Sequence, residues 1–218
     1  DGPSRRIVLV GVRSPMIVDY EESCRRCGIE VAAGISAAGP SRMLMTRDVV
    51  EEAPAGVTHF LPCAFSPSRR RELAVLGREQ GLTLAAPLLD PSASVASTAR
   101  IGDGSFLNAG AVVAGACFVG EGLLLNRTAS IGHHCRVGDY VSLGPAATLC
   151  SSITVGDNVL IGAGAVVLPG ISIGDDAVVA AGSLLRTNLP RGMLAAGAPA
   201  TIRELDRSRS LLSVEGEE

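Results

Sequence analysis

Ile131-Gly-His-His-Cys-Arg-Val137-Gly-Asp-Tyr-Val-Ser-Leu143-Gly-Pro-Ala-Ala-Thr-Leu149 places an aliphatic residue at every sixth position. Extended both ways, the register runs through Leu89, Val95, Ile101, Leu107, Val113, Val119 and Leu125, and on through Val155, Ile161, Val167, Ile173, Val179 and Leu185. All 17 positions are Leu, Ile or Val. The next residue is Gly at 102, 120, 132, 138, 144, 156, 162 and 174, and small side chains (Ala99, Ala111, Cys117, Ala129, Cys135, Ala147, Ala165) recur four places after the aliphatic. A period of six fits neither the 3.6 of a helix nor simple strand alternation. It predicts short strands joined by tight turns, with Gly supplying unusual backbone angles or close approach.

A longer period of 18 is superimposed: Asp103, Glu121, Asp139, Asp157 and Asp175 each follow an aliphatic-Gly pair or its equivalent. Three hexapeptides therefore make one turn of a triangular coil. Residues 89–186 give about five and a half coils, or roughly 26 Å of stacked strands. Like charges stacked so closely repel, so the acidic ladder is expected in water, each side chain bonding its own turn. Nothing interrupts the repeat, so the chemistry must come from the coils or from a neighbouring subunit.

Residues 1–86 read differently. Arg6-Ile-Val-Leu-Val-Gly11 suits a buried parallel strand, and Ser14-Pro15 suits the cap and first turn of a helix reaching about Cys27. Further strands are expected at 29–33, 57–62 and 82–85, and a helix at 67–80 whose Arg69–Arg71 run faces solvent. This alternation predicts a small α/β unit with a mostly parallel sheet, joined at Pro87 to a solenoid over 87–200. The charged tail, 201–218, is expected to start as a helix.

Composition excludes several classes. All 19 basic residues are Arg, which removes Schiff-base lysines and the lysine phosphate loop. Net charge is −3 and aromatic content 3%, so a nucleic-acid partner is not expected. No apolar run spans a bilayer and no export leader is visible, so a cytoplasmic protein without a membrane span is expected. The six Cys then default to free thiols, Cys24-x-x-Cys27 included.

The pattern resembles the left-handed parallel β-helix of hexapeptide acyltransferases; the left hand comes from the family, not from the periodicity. With its α/β unit, the chain is similar to sugar acetyltransferases of the sialic-acid O-acetyltransferase and bacillosamine N-acetyltransferase type. The match is carried by Asn126-Arg-Thr-Ala-Ser-Ile-Gly-His-His-Cys-Arg-Val-Gly-Asp139, Ile161-Gly-Ala-Gly-Ala-Val-Val-Leu-Pro-Gly170 and Ala196-Gly-Ala-Pro-Ala200. The resemblance implies a small Rossmann-like acceptor-binding domain, a homotrimer with sites between subunits, and acetyl-CoA as donor, with no metal. The acceptor would be an amino or hydroxyl group of a nucleotide-linked sugar.

Residue by residue, the resemblance makes His133 the general base, beside His134 where the family often has an orienting acid; Asp139 or Glu121 are the carboxylates that could take that part. Asn126 matches a position near the reacting groups. Ser142 stands where the family has a His beside the donor, and amides near Ser151 are implied for the oxyanion. Coenzyme A would lie along Gly162, Ala163 and Ala181, with Arg186, Arg191 or Arg203 near its phosphates. The first turn of the small domain, Gly11-Val-Arg13-Ser14, holds the nucleotide in the family, but here it has a single Gly. An anion could still be met there by helix amides and Arg13.

A γ-class carbonic anhydrase is excluded, because Gly115 and Ser151 flank His133 where stacked metal ligands would be needed. A catalytically reduced trimeric scaffold or ligand-binding protein is the alternative.

Overall fold

The computed structural model describes residues 6–36 and 48–206. The protein is mainly β, with α1 (Ile17–Arg26) and α2 (Pro67–Glu79) as its helices among the described residues.

Strands β1 (Arg6–Val10), β2 (Glu30–Ile35), β3 (Val49–Val50), β4 (His59–Pro62) and β5 (Thr83–Leu84) form one parallel sheet in the order β3-β2-β1-β4-β5. The apolar run makes β1 the central strand, with Val8, Leu9 and Val10 fully buried because both sheet faces are covered. The chain leaves β1 in one direction to β2 and returns on its other side to β4. A crevice therefore opens at the carboxyl ends of β1 and β4.

The first helix starts later than its sequence suggests. Ser14 Oγ accepts from the Met16 N–H at 3.4 Å, and the Ile17 N–H reaches Ser14 O at 3.0 Å, so Ser14 builds a turn and Met16 occupies the N-cap. The α2 start is as expected, with Ser66 Oγ accepting from the Arg69 N–H and Pro67 in the first turn.

From Leu88 onward, two-residue strands recur every six residues and stack into three parallel sheets. The first face carries Leu88–Leu89, Phe106–Leu107, Leu124–Leu125, Ser142–Leu143, Leu160–Ile161 and Val178–Val179. The second face starts at Ser94–Val95 and the third at Arg100–Ile101. Pairing joins residues 18 apart, as in Val113 to Ile131 to Leu149. The hexapeptide aliphatics point inward and, with the small residues four places on, fill one continuous core. The column loses its cover at the first coil, where Leu89 is 38% exposed.

The glycines that follow the hexapeptide aliphatics act by close approach. A Cβ on Gly162 would lie 2.4 Å from the Ala181 nitrogen, and one on Gly132 2.6 Å from Cys150 O. Positive φ falls elsewhere, at the third residue after the aliphatic, as at Ala116, His134 and Ser152. The acidic ladder also differs from expectation. Asp139, Asp157 and Asp175 each accept from the backbone N–H of the residue 18 positions earlier, at 2.8–3.0 Å, so they pin neighbouring coils together rather than their own turns.

The N-terminal unit packs on the first face. Leu88, Phe106 and Leu124 turn outward from the coil into a cluster with Ile17, Tyr20 and Leu61. The Tyr20 and Phe106 rings lie 4.2 Å apart. Arg70, expected to face solvent, is fully buried in this seam because α2 presents it to the solenoid. At the other end of the seam Asp90, nearly inaccessible, takes two hydrogen bonds from Arg26 and one from Ser23.

The C-terminal segment departs from the helix expected after Thr201. Met193–Gly197 joins the first face and Ala200–Glu204 folds back on it as an antiparallel strand. This continues the sheet and satisfies backbone groups that a coil end would leave open. The remainder of the expected tail, 207–218, lies outside the described residues.

Candidate active site

The three faces meet at three edges, and the candidate residues distribute over two of them. His133 and His134 follow Ser130–Ile131 on the second face and precede Arg136–Val137 on the third. Both side chains are exposed at this edge. Their backbones are clamped by the coils on either side: the His134 N–H donates to Gly115 O at 3.1 Å, and the Ser152 N–H donates to His133 O at 2.9 Å. His134 has φ +60°, which folds its ring back toward its predecessor. The two rings are perpendicular, with centroids 5.1 Å apart and Nδ1 atoms 2.9 Å apart.

Ser151 sits on the same edge, one coil on, where a Cβ on Gly132 would lie 3.0 Å from its nitrogen. Arg186, which follows Leu184–Leu185 on the second face, is exposed on that edge as well. Behind the edge lie Cys117 and Cys135, whose thiols donate to Gly132 O and Cys150 O at 3.1 Å each. Burial raises the Cys135 thiol above its ordinary value, so it stays protonated and is a poor nucleophile.

Asn126, Gly162, Ala163 and Ala181 lie on the edge between the first and second faces. Ala163 and Ala181 are exposed and stack one coil apart, leaving a stripe of bare backbone. Asn126 is buried; its Oδ1 accepts from Asn108 at 3.1 Å and from the Arg127 N–H at 2.8 Å, and its Nδ2 meets Met16 Sδ at 3.8 Å. Asp19 of α1 accepts from Asn108 at 3.1 Å and from Arg127 at 2.7 Å. These contacts place the Gly11–Ser14 turn beside this edge. In that turn Gly11 has φ +100° and a Cβ there would strike Leu73 and Cys63 O, so Gly is required. Val12 and Ser14 are buried and Arg13 is exposed.

Within one chain, then, the geometry groups His133, His134, Ser151 and Arg186 on one edge, and Asn126, Gly162, Ala163, Ala181 and the Gly11–Ser14 turn on or beside the other. The second face separates the two groups. Ser142 joins neither: it is fully buried on the first face, donating to Phe65 O at 2.6 Å and accepting from Arg70 at 2.9 Å. Its hydroxyl is used to tie the N-terminal unit to the solenoid. Glu121 and Asp139 occupy the third edge, away from His133. Glu121 is held by Arg78 and by the Tyr140 hydroxyl, and Asp139 by the Glu121 N–H. Sequence reasoning missed Arg70, and the signal was available only as one Arg in a run of three.

The family model for the hexapeptide repeat of succinyl-transferase matches residues 152–186. No curated protein matches the sequence. Among solved structures, a mutant of perosamine N-acetyltransferase from Caulobacter crescentus, in complex with CoA and GDP-perosamine, is 30% identical. The match covers 90% of this chain and 96% of that one at a TM-score of 0.81. The acetyltransferase domain of PglB from Neisseria gonorrhoeae, in complex with acetyl coenzyme A, shares the fold at 22% identity, covering 91% and 99% of the two chains at a TM-score of 0.81. WeeI from Acinetobacter baumannii does so at 22% identity, 90% and 99% coverage and a TM-score of 0.79. With this coverage and identity, on top of the unbroken hexapeptide solenoid, the chain belongs to the hexapeptide-repeat sugar acetyltransferases and is an acyltransferase.

Proposed function

We propose that the protein moves an acetyl group from acetyl-CoA to an amino or hydroxyl group of a nucleotide-linked sugar, by direct transfer with His133 as general base. The observation that carries this reading is the placement of His133 on an exposed edge, in a His133–His134 corner whose backbone is clamped by both neighbouring coils. An imidazole there is accessible and held in place, as a general base must be. His133 takes the proton as the acceptor attacks the thioester carbonyl carbon, and returns it to the departing thiolate. Amides near Ser151, one coil on, are aimed at the carbonyl oxygen as it gains charge. No acyl-enzyme is involved, in keeping with the buried, protonated thiol of Cys135.

The donor fits the stripe at Gly162, Ala163 and Ala181, where a narrow pantetheine arm can lie against backbone. Arg186 is suited to a phosphate. The acceptor belongs to the Gly11–Arg13–Ser14 turn, in the crevice at the carboxyl ends of β1 and β4, the usual ligand position of such a sheet. This assigns residues 1–86 to a Rossmann-like acceptor domain, 87–200 to the transferase solenoid with left-handed coils, and 201–218 to the C-terminal tail. The separation of the two edges supports a homotrimer. One chain supplies the donor stripe and acceptor turn, and its neighbour supplies His133. Six free thiols and an acyl-CoA donor suit the cytoplasm. Among the described residues no helix is long and apolar enough to cross a membrane.

The test is acetyl-CoA calorimetry on the parent and His133→Ala, followed by thiol release against nucleotide-linked amino sugars. Equal donor binding with turnover lost in His133→Ala supports the reading. A parent that binds no acyl-CoA overturns it.

A further inference from the structure

We infer that Arg100 and Arg136, on the third face beside the His133 edge, bind the diphosphate of the nucleotide-linked acceptor, and that Phe118 between them holds Arg136 in place. The inference rests on the acceptor and homotrimer readings above, and it adds a subsite to the subunit that supplies His133.

Arg100, Phe118 and Arg136 occupy equivalent outward positions on successive coils, since Phe118 pairs with Arg100 on one side and Arg136 on the other. At about 4.8 Å per strand, the two arginines leave the wall about 10 Å apart with the ring between them. Phe118 is 50% exposed, and the three side chains line an open groove of about 410 Å³. Arg78 and Arg127 meet the carboxylates of Glu121 and Asp19. Neither Arg100 nor Arg136 has such a partner among the described residues. Arg100 donates to Ser97 O and Ala99 O, and the Arg136 guanidinium lies 5.0 Å from the Phe118 centroid. A ring orients a guanidinium without using its N–H donors, so Arg136 keeps its fork for an anion. The acids flanking this face on the third edge, Asp139 and Asp157, accept instead from the backbone of the preceding coil.

The acceptor crevice has spent much of its own capacity to hold phosphate. In its turn the Gly11 N–H donates to Ile35 O at 3.2 Å and the Ser14 N–H to Gly11 O at 3.3 Å. At the start of α1 the Met16 and Ile17 N–H groups are both taken by Ser14. These amides do not form the open cradle that a helix N-terminus usually offers an anion. The third face is placed to supply the missing charge. Arg100, Phe118 and Arg136 belong to the coils that also carry Leu88, Phe106 and Leu124, on which the N-terminal unit packs. Gly162 and Ala181 of the donor stripe lie two and three coils beyond Arg136. In a cyclic trimer with parallel solenoids, equivalent coils stand at equal heights. The arginine pair is therefore level with a neighbour's acceptor crevice and not with its donor stripe. Arg136 follows His133 by three residues, so one subunit presents the base and the phosphate contact together.

The test is calorimetric binding of guanosine and uridine diphosphate to the full chain, alongside steady-state thiol release, in the parent and in Arg100→Gln/Arg136→Gln. Thermal unfolding checks that these surface changes leave the fold intact. The double variant is expected to bind both diphosphates about ten- to a hundredfold more weakly, and to raise the KM for a nucleotide-linked amino sugar by a similar factor. Its kcat and its KM for acetyl-CoA stay at the parental values. Arg136→Lys alone shows part of the loss, because an ammonium lacks the planar fork. Parental diphosphate affinity in the double variant overturns the subsite while leaving the base and the acceptor class in place. A rise confined to the KM for acetyl-CoA overturns it too, by giving the pair to the donor. A parent that binds neither diphosphate overturns the nucleotide-linked acceptor, and this inference with it.

Discussion

Arg70 donates to the hydroxyl of Ser142 at 2.9 Å across the seam between α2 and the first face of the solenoid. The same guanidinium donates to Gly122 O, Ala64 O, Phe65 O and Val141 O, so one planar cation knits the loop after β4 to two coils. Ala64 and Phe65 border the crevice assigned to the acceptor. The position of that crevice over the solenoid is thus set by a residue that touches neither substrate in the proposed scheme.

Replacing Arg70 by Leu leaves buried carbonyls unpaired, and is expected to lower unfolding free energy by about 3 kcal/mol. Arg70→Lys rescues little, because an ammonium cannot reproduce the planar fork. Urea denaturation of the three proteins checks both statements, and a Leu variant as stable as the parent would remove Arg70 from this role.

The Arg78–Glu121–Tyr140 contact gives a pH signature. Burial, then the bond to Glu121, pushes the Tyr140 phenol up to about 12. A raised pKa means that the stabilisation is full below the ordinary value of 10 and is lost as pH rises through about 12. Tyr140→Phe should flatten the fall in thermal stability across that window. On the acid side burial pulls Glu121 upward, but the bonds from Arg78 and Tyr140 outweigh it and hold the carboxyl below its ordinary 4.5. That contribution is present above pH 4.5 and fades as pH drops through the lowered value. Being half-exposed, it should be worth below about 1 kcal/mol, and Glu121→Gln should lose its acid dependence.

Two glycines on the donor edge separate close approach from backbone freedom. Gly162→Ala drives a methyl to 2.4 Å from the Ala181 nitrogen, so the coils must part. A loss of roughly 2–3 kcal/mol is expected. Gly164→Ala meets open space and pays only for φ +65°, about 1 kcal/mol. Differential scanning calorimetry that ranked them in the opposite order would contradict this account.

Cys135 lies directly behind the His pair, yet direct transfer gives it no chemical part. Cys135→Ala is expected to retain kcat within about twofold while costing about 1 kcal/mol of stability for the lost packing volume. A trapped acetyl-thioester at Cys135, seen by mass spectrometry, would replace direct transfer with a two-step mechanism.

The solenoid was legible in the sequence because its core is local and periodic. Each aliphatic such as Val137 or Leu143 is inward for the same reason as the one six residues before it, and the ladder at 18 residues follows from three strands per coil. His133 was legible too, since its place in the hexapeptide sets the edge it occupies. What lay beyond sequence reasoning depends on contacts between distant segments. Arg69, Arg70 and Arg71 are chemically alike, and only the docking of α2 on the first face buries Arg70 and consumes the Ser142 hydroxyl. The turn at Ser14 displaces a helix start that its residue type favoured, because its backbone bonds close earlier turns. The fold-back of Ala200–Glu204 likewise arises because Met193–Gly197 offers an open sheet edge, whereas local composition alone suggested a helix. The sequence alone thus determined the coil, its edges and the exposed imidazole, since a repeat carries its own register. Only the tertiary structure decided which of the remaining polar groups face solvent, since that depends on which surfaces meet.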